Sequence, residues 1–305
     1  MAIKDNFSAQ SDQYSRFRPT YPDELYDYLL SLVPARQTSG GGLDTKKSWA
    51  GADGGNGTRA WDCGTGNGQV AEKLALFFDA VEATDISREQ MAQALPNDKV
   101  HYSVQRAEQT DFPAGSFDLI TVAQAIHWFD FAAFYAEVER TMKSGGVLAV
   151  IGYGLMEVRQ TAGDSLDHRK SWELRGEDEA MTAGDSPDTK ESWGCADAGL
   201  NRAIDRLYRD IVGPYWDAER RYIDEGYRTI PFPYEEMAAP AFEMRFEWSF
   251  AHLVGYLGTW SAVKHYQKER SEDPVALVYQ ELKSCWGTAV VRTVRFPLLL
   301  RVTRM

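Results

Sequence analysis

Between residues 59 and 154, short apolar runs alternate with segments in which apolar residues return every three or four positions. Such runs are typical of strands buried on both faces, and the longer spacing is typical of amphipathic helices. The predicted strands are 59–63, 80–85, 100–106, 117–126 and 146–154, and the predicted helices are 69–78, 87–95 and 131–142. Ser87 is the predicted N-cap of the second helix. This alternation predicts βαβ units, and therefore an α/β fold with a parallel sheet.

The pattern is less regular on both sides of this region. Residues 21–33 carry apolar positions at helical spacing behind a proline, which predicts an amphipathic helix. After a helical, aromatic stretch at 200–225, the remaining predicted elements are strands at 242–250 and 290–305 and helices at 251–270 and 274–286. Seven strands, of which the last two follow an irregular stretch, favour one doubly wound domain that carries an inserted helical cap.

Six segments are predicted along the chain. They are an N-terminal arm and helix (1–35), a low-complexity insert (36–59), a core (60–158), a repeat-bearing insert (159–199), a helical cap (200–240) and the C-terminal part of the sheet (241–305). Both inserts are far longer than the roughly 2–8 residues of ordinary connections.

The inserts share the pattern Asp-x-x-x-Ser-Trp, at 44–49, 167–172 and 188–193. Its irregular intervals exclude a solenoid, because the copies cannot stack into a continuous core. We interpret the inserts as poorly ordered surface sequence. A partner-binding motif that presents Trp49, Trp172 and Trp193 is the alternative.

Composition narrows the classes of partner. The net charge of −12 argues against nucleic acid or an anionic membrane as the main partner, since both require a basic face. The sequence has no apolar run of transmembrane length, and its N-terminus lacks a hydrophobic signal core. Cys63, Cys195 and Cys285 lie far apart without metal-ligand spacing. We therefore expect a cytoplasmic protein without a metal, either monomer or homodimer.

The stretch "WDCGTGNGQ" at 61–69 places three glycines between a predicted strand and a predicted helix. A glycine turn at this point is a ligand site in open α/β sheets, because bare backbone and a helix N-terminus face the ligand. The dinucleotide fingerprint is G-x-G-x-x-G, whereas this chain has G-x-G-x-G preceded by Asp62. A carboxylate there would repel a pyrophosphate but suits a positively charged ligand such as S-adenosylmethionine. Asp85, at the end of the second strand, can accept ribose hydroxyls from either cofactor.

Residues 61–155 resemble the class I S-adenosylmethionine-dependent methyltransferases. The flanks "FSAQSDQYSRFRPTYP" and "GPYWDAERRYIDEGYRTIPFP" resemble small-molecule methyltransferases related to trans-aconitate methyltransferase. The resemblance implies a Rossmann-like, seven-stranded, mostly parallel sheet whose last strand is antiparallel. The cofactor-binding residues that it implies are Asp62, Gly64, Thr65, Gly66, Gly68, Asp85, Ile86, Ala107, Glu108, Gln124, Tyr14 and Arg18. Arg106 departs from the family, whose members often carry an aspartate there.

By the same resemblance, "QAIHWF" at 124–129 lines the transfer site. His127 is the candidate general base, and the candidate substrate contacts are Tyr21, His127, Trp128 and Arg295. A structural alternative remains open for three of these residues. His127 can be a buried structural histidine, Trp128 can have only a packing role, and Arg295 can be exposed to solvent. Methyl transfer from a sulfonium needs a base only when the acceptor arrives un-ionised. We expect O-methylation of a carboxylate on a small organic acceptor.

Three other functions stay open. An NAD(P)-dependent oxidoreductase is disfavoured by Asp62 and by the missing third glycine of the fingerprint. A nucleic-acid or protein methyltransferase is disfavoured by the acidic charge and by "AQAIHW" after the fourth strand. A non-catalytic cofactor-binding module would act through its tryptophan repeats.

Overall fold

The computed structural model describes residues 17–34, 57–159 and 195–305. Its strands are β1 (Arg59–Cys63), β2 (Ala80–Asp85), β3 (Val100–Val104), β4 (Phe117–Ala123), β5 (Met142–Tyr153), β6 (Glu157–Arg159), β7 (Glu243–Trp248) and β8 (Arg292–Arg304). Its α-helices are α1 (Asp23–Leu32), α2 (Gln69–Leu74), α3 (Arg88–Met91), α4 (Phe131–Thr141), α5 (Cys195–Asp205), α6 (Arg221–Asp224), α7 (Phe250–Leu257), α8 (Ser261–Arg270) and α9 (Ala276–Trp286). The repeat tryptophans Trp49, Trp172 and Trp193 lie outside the described residues, as does almost all of both predicted inserts.

The described chain divides into two compact units. The first comprises the described residues of Met1–Leu155, Trp216–Met244 and Phe296–Met305, and the second those of Met156–Tyr215 and Arg245–Arg295. These boundaries differ from the predicted ones, since 216–244 belong with the sheet whereas 245–295 belong with the helices.

The sheet of the first unit has the order β3-β2-β1-β4-β5-β8. Strands β1 to β5 are parallel, and β8 pairs antiparallel with β5 through Leu298–Arg304. The predicted mostly parallel sheet with an antiparallel last strand is therefore confirmed. An additional short strand, β6, pairs with β8 inside the second unit. Three residues are too short to give a recognisable hydrophobic pattern, so the prediction missed it.

Successive side chains of the central strand, β1, point to opposite faces of this sheet. Ala60 packs into the apolar layer formed with α1 and α2, whereas Trp61 and Cys63 pack into the layer formed with α4. Helix α1 buries Leu25 and Leu29 on its apolar face, as the sequence spacing predicts. Apolar burial on both faces stabilises the sheet. The turns described below lie at the edge where its parallel strands have their carboxyl ends.

Several element boundaries differ from prediction for local reasons. The predicted helix 87–95 is the single turn α3, which Ser87 does cap by accepting a hydrogen bond from the Gln90 N–H. The predicted helix 251–270 is two helices, because the chain turns at Gly258–Trp260 and the Thr259 hydroxyl donates to the Tyr256 carbonyl. The predicted strand 117–126 ends at Ala123, after which Ile126–Trp128 form a 3₁₀ turn.

The second unit has its own interior of helices. Arg292 is 4% exposed and forms an ion pair with Asp197 of α5 at 2.5 Å. The Asn201 side chain bonds both backbone groups of Val158 in β6, which ties α5 to that strand. None of the helices that the structure describes is long and apolar enough to cross a membrane.

Candidate active site

A cavity of about 390 Å³ opens at the carboxyl ends of the parallel strands of the first unit. The strand order reverses between β1 and β4, which is where open α/β sheets bind their ligands. The sequence-predicted site residues that line it are Arg18, Tyr21, Asp62, Gly64, Thr65, Gly66, Asp85, Ile86, Ala107, Glu108, Gln124 and Trp128. Tyr14 lies outside the described residues. Within the described chain, three other predicted residues (Gly68, His127 and Arg295) do not line this cavity.

The glycine turn adopts a backbone conformation that side chains disfavour. Gly64, Gly66 and Gly68 have φ values of 69°, 57° and 85°. A Cβ atom on Gly64 would lie 2.5 Å from the Cβ of Ala125, whereas one on Gly66 would meet only the end of the Gln90 side chain at 3.0 Å. Gly64 and Gly66 thus bring bare backbone to the cavity. Gly68 has a different structural role, because it is the N-cap of α2.

Asp62 lies beneath this turn and is 1% exposed. Its Oδ2 accepts a hydrogen bond from the Thr65 hydroxyl at 2.6 Å, and its Oδ1 accepts one from the Thr121 hydroxyl at 2.9 Å. Burial raises the pKa of the Asp62 carboxyl to about 6, although both hydroxyls and the Ala71 N–H favour the charged form. The cavity wall therefore contains a buried carboxylate that a cationic group would keep ionised.

Asp85 holds the turn from the end of β2. Its carboxylate accepts the Gly66 N–H at 2.9 Å through Oδ2 and the Ser87 N–H at 2.8 Å through Oδ1. A carboxylate oxygen can take more than one hydrogen bond. This arrangement fits a ligand that offers paired hydroxyl groups.

The residues beyond β2 and β3 form a partly apolar rim. Ile86 is 42% exposed, which leaves an apolar surface beside the cavity. Glu108 accepts the Asp130 N–H at 3.1 Å and pairs with Arg106 at 3.3 Å. Arg106, which departs from the family pattern, is thus a charged residue of the wall that pairs with Glu108.

Several wall residues were missed by the sequence reasoning, among them Tyr153 and Glu219. Tyr153 ends β5, and its hydroxyl accepts a hydrogen bond from Arg18 Nη1 at 2.9 Å. The Tyr153 carbonyl accepts a hydrogen bond from Gln124 Nε2 at 3.1 Å, although Gln124 has an unfavourable φ of 54°. Its position in the sequence could have identified Tyr153 as a site residue, because it is the first large polar side chain after the apolar run of the fifth strand. Glu219 lines the cavity from the segment 216–244, and no local pattern indicated it.

His127 is placed differently from its predicted role. It is 6% exposed, and its Nδ1 lies 3.2 Å from the hydroxyl of Tyr227. Burial, helped by the nearby Arg220, lowers the pKa of the imidazole to about 3. A histidine that is this weakly basic and lies outside the cavity wall is not suited to act as a general base near neutrality.

Arg295 also lies away from its predicted place. It belongs to the second unit, where it is opposite Glu157 in the pairing of β6 with β8. The structure gives no support to a substrate contact by this residue.

Substitution of His127 by asparagine is expected to change how stability depends on pH. The unfolded chain protonates this imidazole near pH 6.5, whereas the folded chain does so only near pH 3. The folded state therefore binds fewer protons between these values, and acid lowers the free energy of unfolding of the native chain. We expect the native chain to have the higher free energy of unfolding at about pH 7.5, measured in urea. The difference between the native chain and His127→Asn should become smaller at about pH 4.5. His101→Asn is the control, because the His101 side chain is 63% exposed. The prediction would be contradicted if the difference in the free energy of unfolding between the native chain and His127→Asn did not change with pH.

Comparison with known proteins shows the family of the chain. A family model described as a methyltransferase domain matches residues 61–150. A solved structure from Anaeromyxobacter dehalogenans, of a protein proposed to be a type II methyltransferase, is 33% identical with a TM-score of 0.69; the match covers 94% of this chain and 98% of that one. A Dictyostelium discoideum protein named as a methyltransferase is 28% identical across 98% of this chain and 95% of its own length. With the confirmed sheet order and the glycine turn at its switch point, these similarities show that the chain belongs to the class I S-adenosylmethionine-dependent methyltransferases.

Proposed function

We propose that this protein transfers the methyl group of S-adenosylmethionine to a carboxylate oxygen of a small organic acid. The described residues fit this methyl donor. Asp85 can accept its ribose hydroxyls, Ile86 offers an apolar surface for its adenine, and Asp62 can face its ammonium group. Gly64 and Gly66 present bare backbone to the cavity.

Strand order divides the cavity into two halves. The ends of β1, β2 and β3 carry the residues that fit the cofactor, and they adjoin one another in the sheet. The ends of β4 and β5 lie on the other side of β1 and carry Gln124 and Tyr153. This second half is left for the acceptor.

The observation that carries the proposal is the position of Arg18. Arg18 lines the cavity, and its guanidinium donates a hydrogen bond to the Tyr153 hydroxyl at the end of β5. A guanidinium has five N–H donors in a planar fork that matches a carboxylate. A guanidinium held in place by Tyr153 is therefore suited to an acidic acceptor in the half of the cavity that the cofactor leaves open.

The chemistry of the wall agrees with an acceptor that arrives already ionised. The cofactor supplies a methyl group activated by a sulfonium charge, so the protein has mainly to align the acceptor and exclude water. A carboxylate is charged at neutral pH and needs no base. His127, neutral and outside the wall, could not supply one. Resemblance of the flanking segments to trans-aconitate methyltransferase relatives supports a small acid, and the net charge of −12 disfavours nucleic acid.

The direct test is a substrate screen that measures formation of S-adenosylhomocysteine. Small mono-, di- and tricarboxylic acids form one panel, and phenols, DNA, RNA and a basic protein form the comparison panels. We expect turnover with the carboxylic acids and a methyl ester as the product. Exclusive turnover of phenols would replace the proposal with methylation of a hydroxyl group. Turnover of nucleic acid or protein alone would also refute it.

Substitution of Arg18 by glutamine is expected to raise the KM for the acid by about 10–100-fold, because a charge-assisted pair with the acceptor is lost. The Kd for S-adenosylmethionine, measured by calorimetry, should change by less than about threefold. Arg106→Gln is the matched control, since Arg106 also lines the cavity but follows β3 and is paired with Glu108. A loss of cofactor affinity with an unchanged KM would instead assign Arg18 to cofactor binding, as the sequence resemblance implies.

A further inference from the structure

Thr121 is a fully buried residue of β4 that does not line the cavity but contacts a residue that does. In the parallel pairing of β1 with β4, Thr121 is the register partner of Asp62. Its hydroxyl donates to Asp62 Oδ1 at 2.9 Å, and its side chain is 0% exposed. Strand pairing therefore fixes this hydroxyl against the carboxylate.

Asp62 is held by donors on opposite sides. Thr65, in the glycine turn, donates to Oδ2, and the Ala71 N–H of α2 is the third donor. All of these bonds favour the charged carboxylate, which burial alone would neutralise. Thr65 itself lines the cavity, so a change there would also alter the ligand surface. Thr121 is the donor whose removal leaves that surface unchanged.

We propose that Thr121 is a positioning residue for cofactor binding. By donating from β4 to Asp62, its hydroxyl keeps that side chain charged and oriented for the ammonium group of S-adenosylmethionine. This inference rests on the cofactor class and not on the acceptor, so it stands or falls independently of the carboxylate proposal. It predicts that cofactor affinity becomes more sensitive to acid when the hydroxyl is removed.

Other titratable groups near Asp62 do not compete in the relevant range. Burial raises the pKa of Cys63, on the same strand, of Tyr26 on α1 and of Tyr102 on β3 well above neutrality, so these groups stay uncharged. Asp85, at the end of β2, is the other nearby carboxylate whose charge acts on Asp62. It is unchanged in every variant used below.

The experiment compares Thr121→Val, Thr121→Ser and a control, Thr141→Val, by calorimetric titration with S-adenosylmethionine and S-adenosylhomocysteine. Thr141 is also 0% exposed, and its hydroxyl donates to a backbone carbonyl in α4, away from the cavity wall. The readout is the ratio of the variant Kd to the native Kd at each pH, because the amino group of the ligand titrates near about pH 8 in every sample.

For Thr121→Val, we expect a ratio of about 10 near pH 5.5 that falls to within about twofold near pH 8.5, where Asp62 is charged in both proteins. Thr121→Ser and Thr141→Val should stay within about twofold throughout. A Kd ratio for Thr121→Val that is constant with pH would show that Thr121 acts through packing. A Thr121→Ser variant with the same Kd ratios as Thr121→Val would show that the hydroxyl has no role in cofactor binding. Either result overturns the proposal, as does a ratio of one at every pH.

A second measurement keeps the proposal testable if Thr121→Val does not fold. Binding of either ligand to the native protein near pH 6 should release about half a proton, measured in buffers of different ionisation enthalpy. Asp62→Asn should abolish this release. The Thr121→Ser variant should retain it, and its absence in the native protein would overturn the proposal.

Discussion

Replacement of Gly64 by alanine is expected to lower the free energy of unfolding by roughly 2–5 kcal/mol and to weaken cofactor binding by more than about 100-fold. Two effects combine at this residue. An L side chain at a φ of 69° is strained, and its Cβ atom would lie 2.5 Å from the Cβ of Ala125. Ala125 follows β4 and is 9% exposed, so relieving the contact requires the backbone of the cavity wall to move.

The chain offers a matched control for this substitution. Gly115 has a φ of 64°, and no heavy atom lies within 4 Å of the position of its missing Cβ. Gly115→Ala should therefore lose only the conformational part, about 1–2 kcal/mol, with unchanged cofactor affinity. Urea unfolding and calorimetric titration measure both quantities. Equal losses of stability and full binding in both variants would show that the turn at Gly64 has no close contact to protect.

Substitution of Asp85 by alanine is expected to raise the Kd for S-adenosylmethionine and S-adenosylhomocysteine by roughly 30–1000-fold. The estimate takes about 2–4 kcal/mol for charge-assisted hydrogen bonds to two ribose hydroxyls, partly replaced by water. Asp85 also accepts the backbone N–H groups of Gly66 and Ser87, so part of the loss could come from a displaced turn.

A ligand lacking both ribose hydroxyls separates these two contributions. The native protein should bind S-adenosylhomocysteine more tightly than its 2′,3′-dideoxy analogue, and Asp85→Ala should remove most of that difference. If the variant discriminates between the two ligands as well as the native protein does, Asp85 supports the turn and does not bind the ribose. An unchanged Kd for both ligands would remove Asp85 from the site altogether.

The parts of the site that follow one another closely in sequence were predictable. Asp62, the glycine turn and Asp85 lie at the ends of adjacent strands, and the apolar runs 59–63 and 80–85 marked those strands. The carboxyl ends of parallel strands meet at one edge of the sheet, so correct strand assignment was enough to bring these residues together. The Ser87 cap was predictable for a similar reason, because its partner is three residues away.

Residues whose environment depends on distant segments were not predictable in this way. The family resemblance of "QAIHWF" at 124–129 made His127 the candidate base, yet its ring lies against Tyr227, one hundred residues later in the chain. Tyr153 and Arg18 are 135 residues apart, and their hydrogen bond joins two segments that line the cavity.

The sequence by itself determined the parallel sheet, the position of its switch point and the glycine turn with its two carboxylates, because hydrophobic period and glycine spacing are local properties of the chain. The tertiary structure alone decided which side chains around that turn are charged, buried or exposed to the cavity. Burial sets the ionisation of Asp62 and His127, and it is produced by packing between segments far apart in sequence. Strand register places Thr121 against Asp62, and register is a property of two paired strands that neither strand encodes alone.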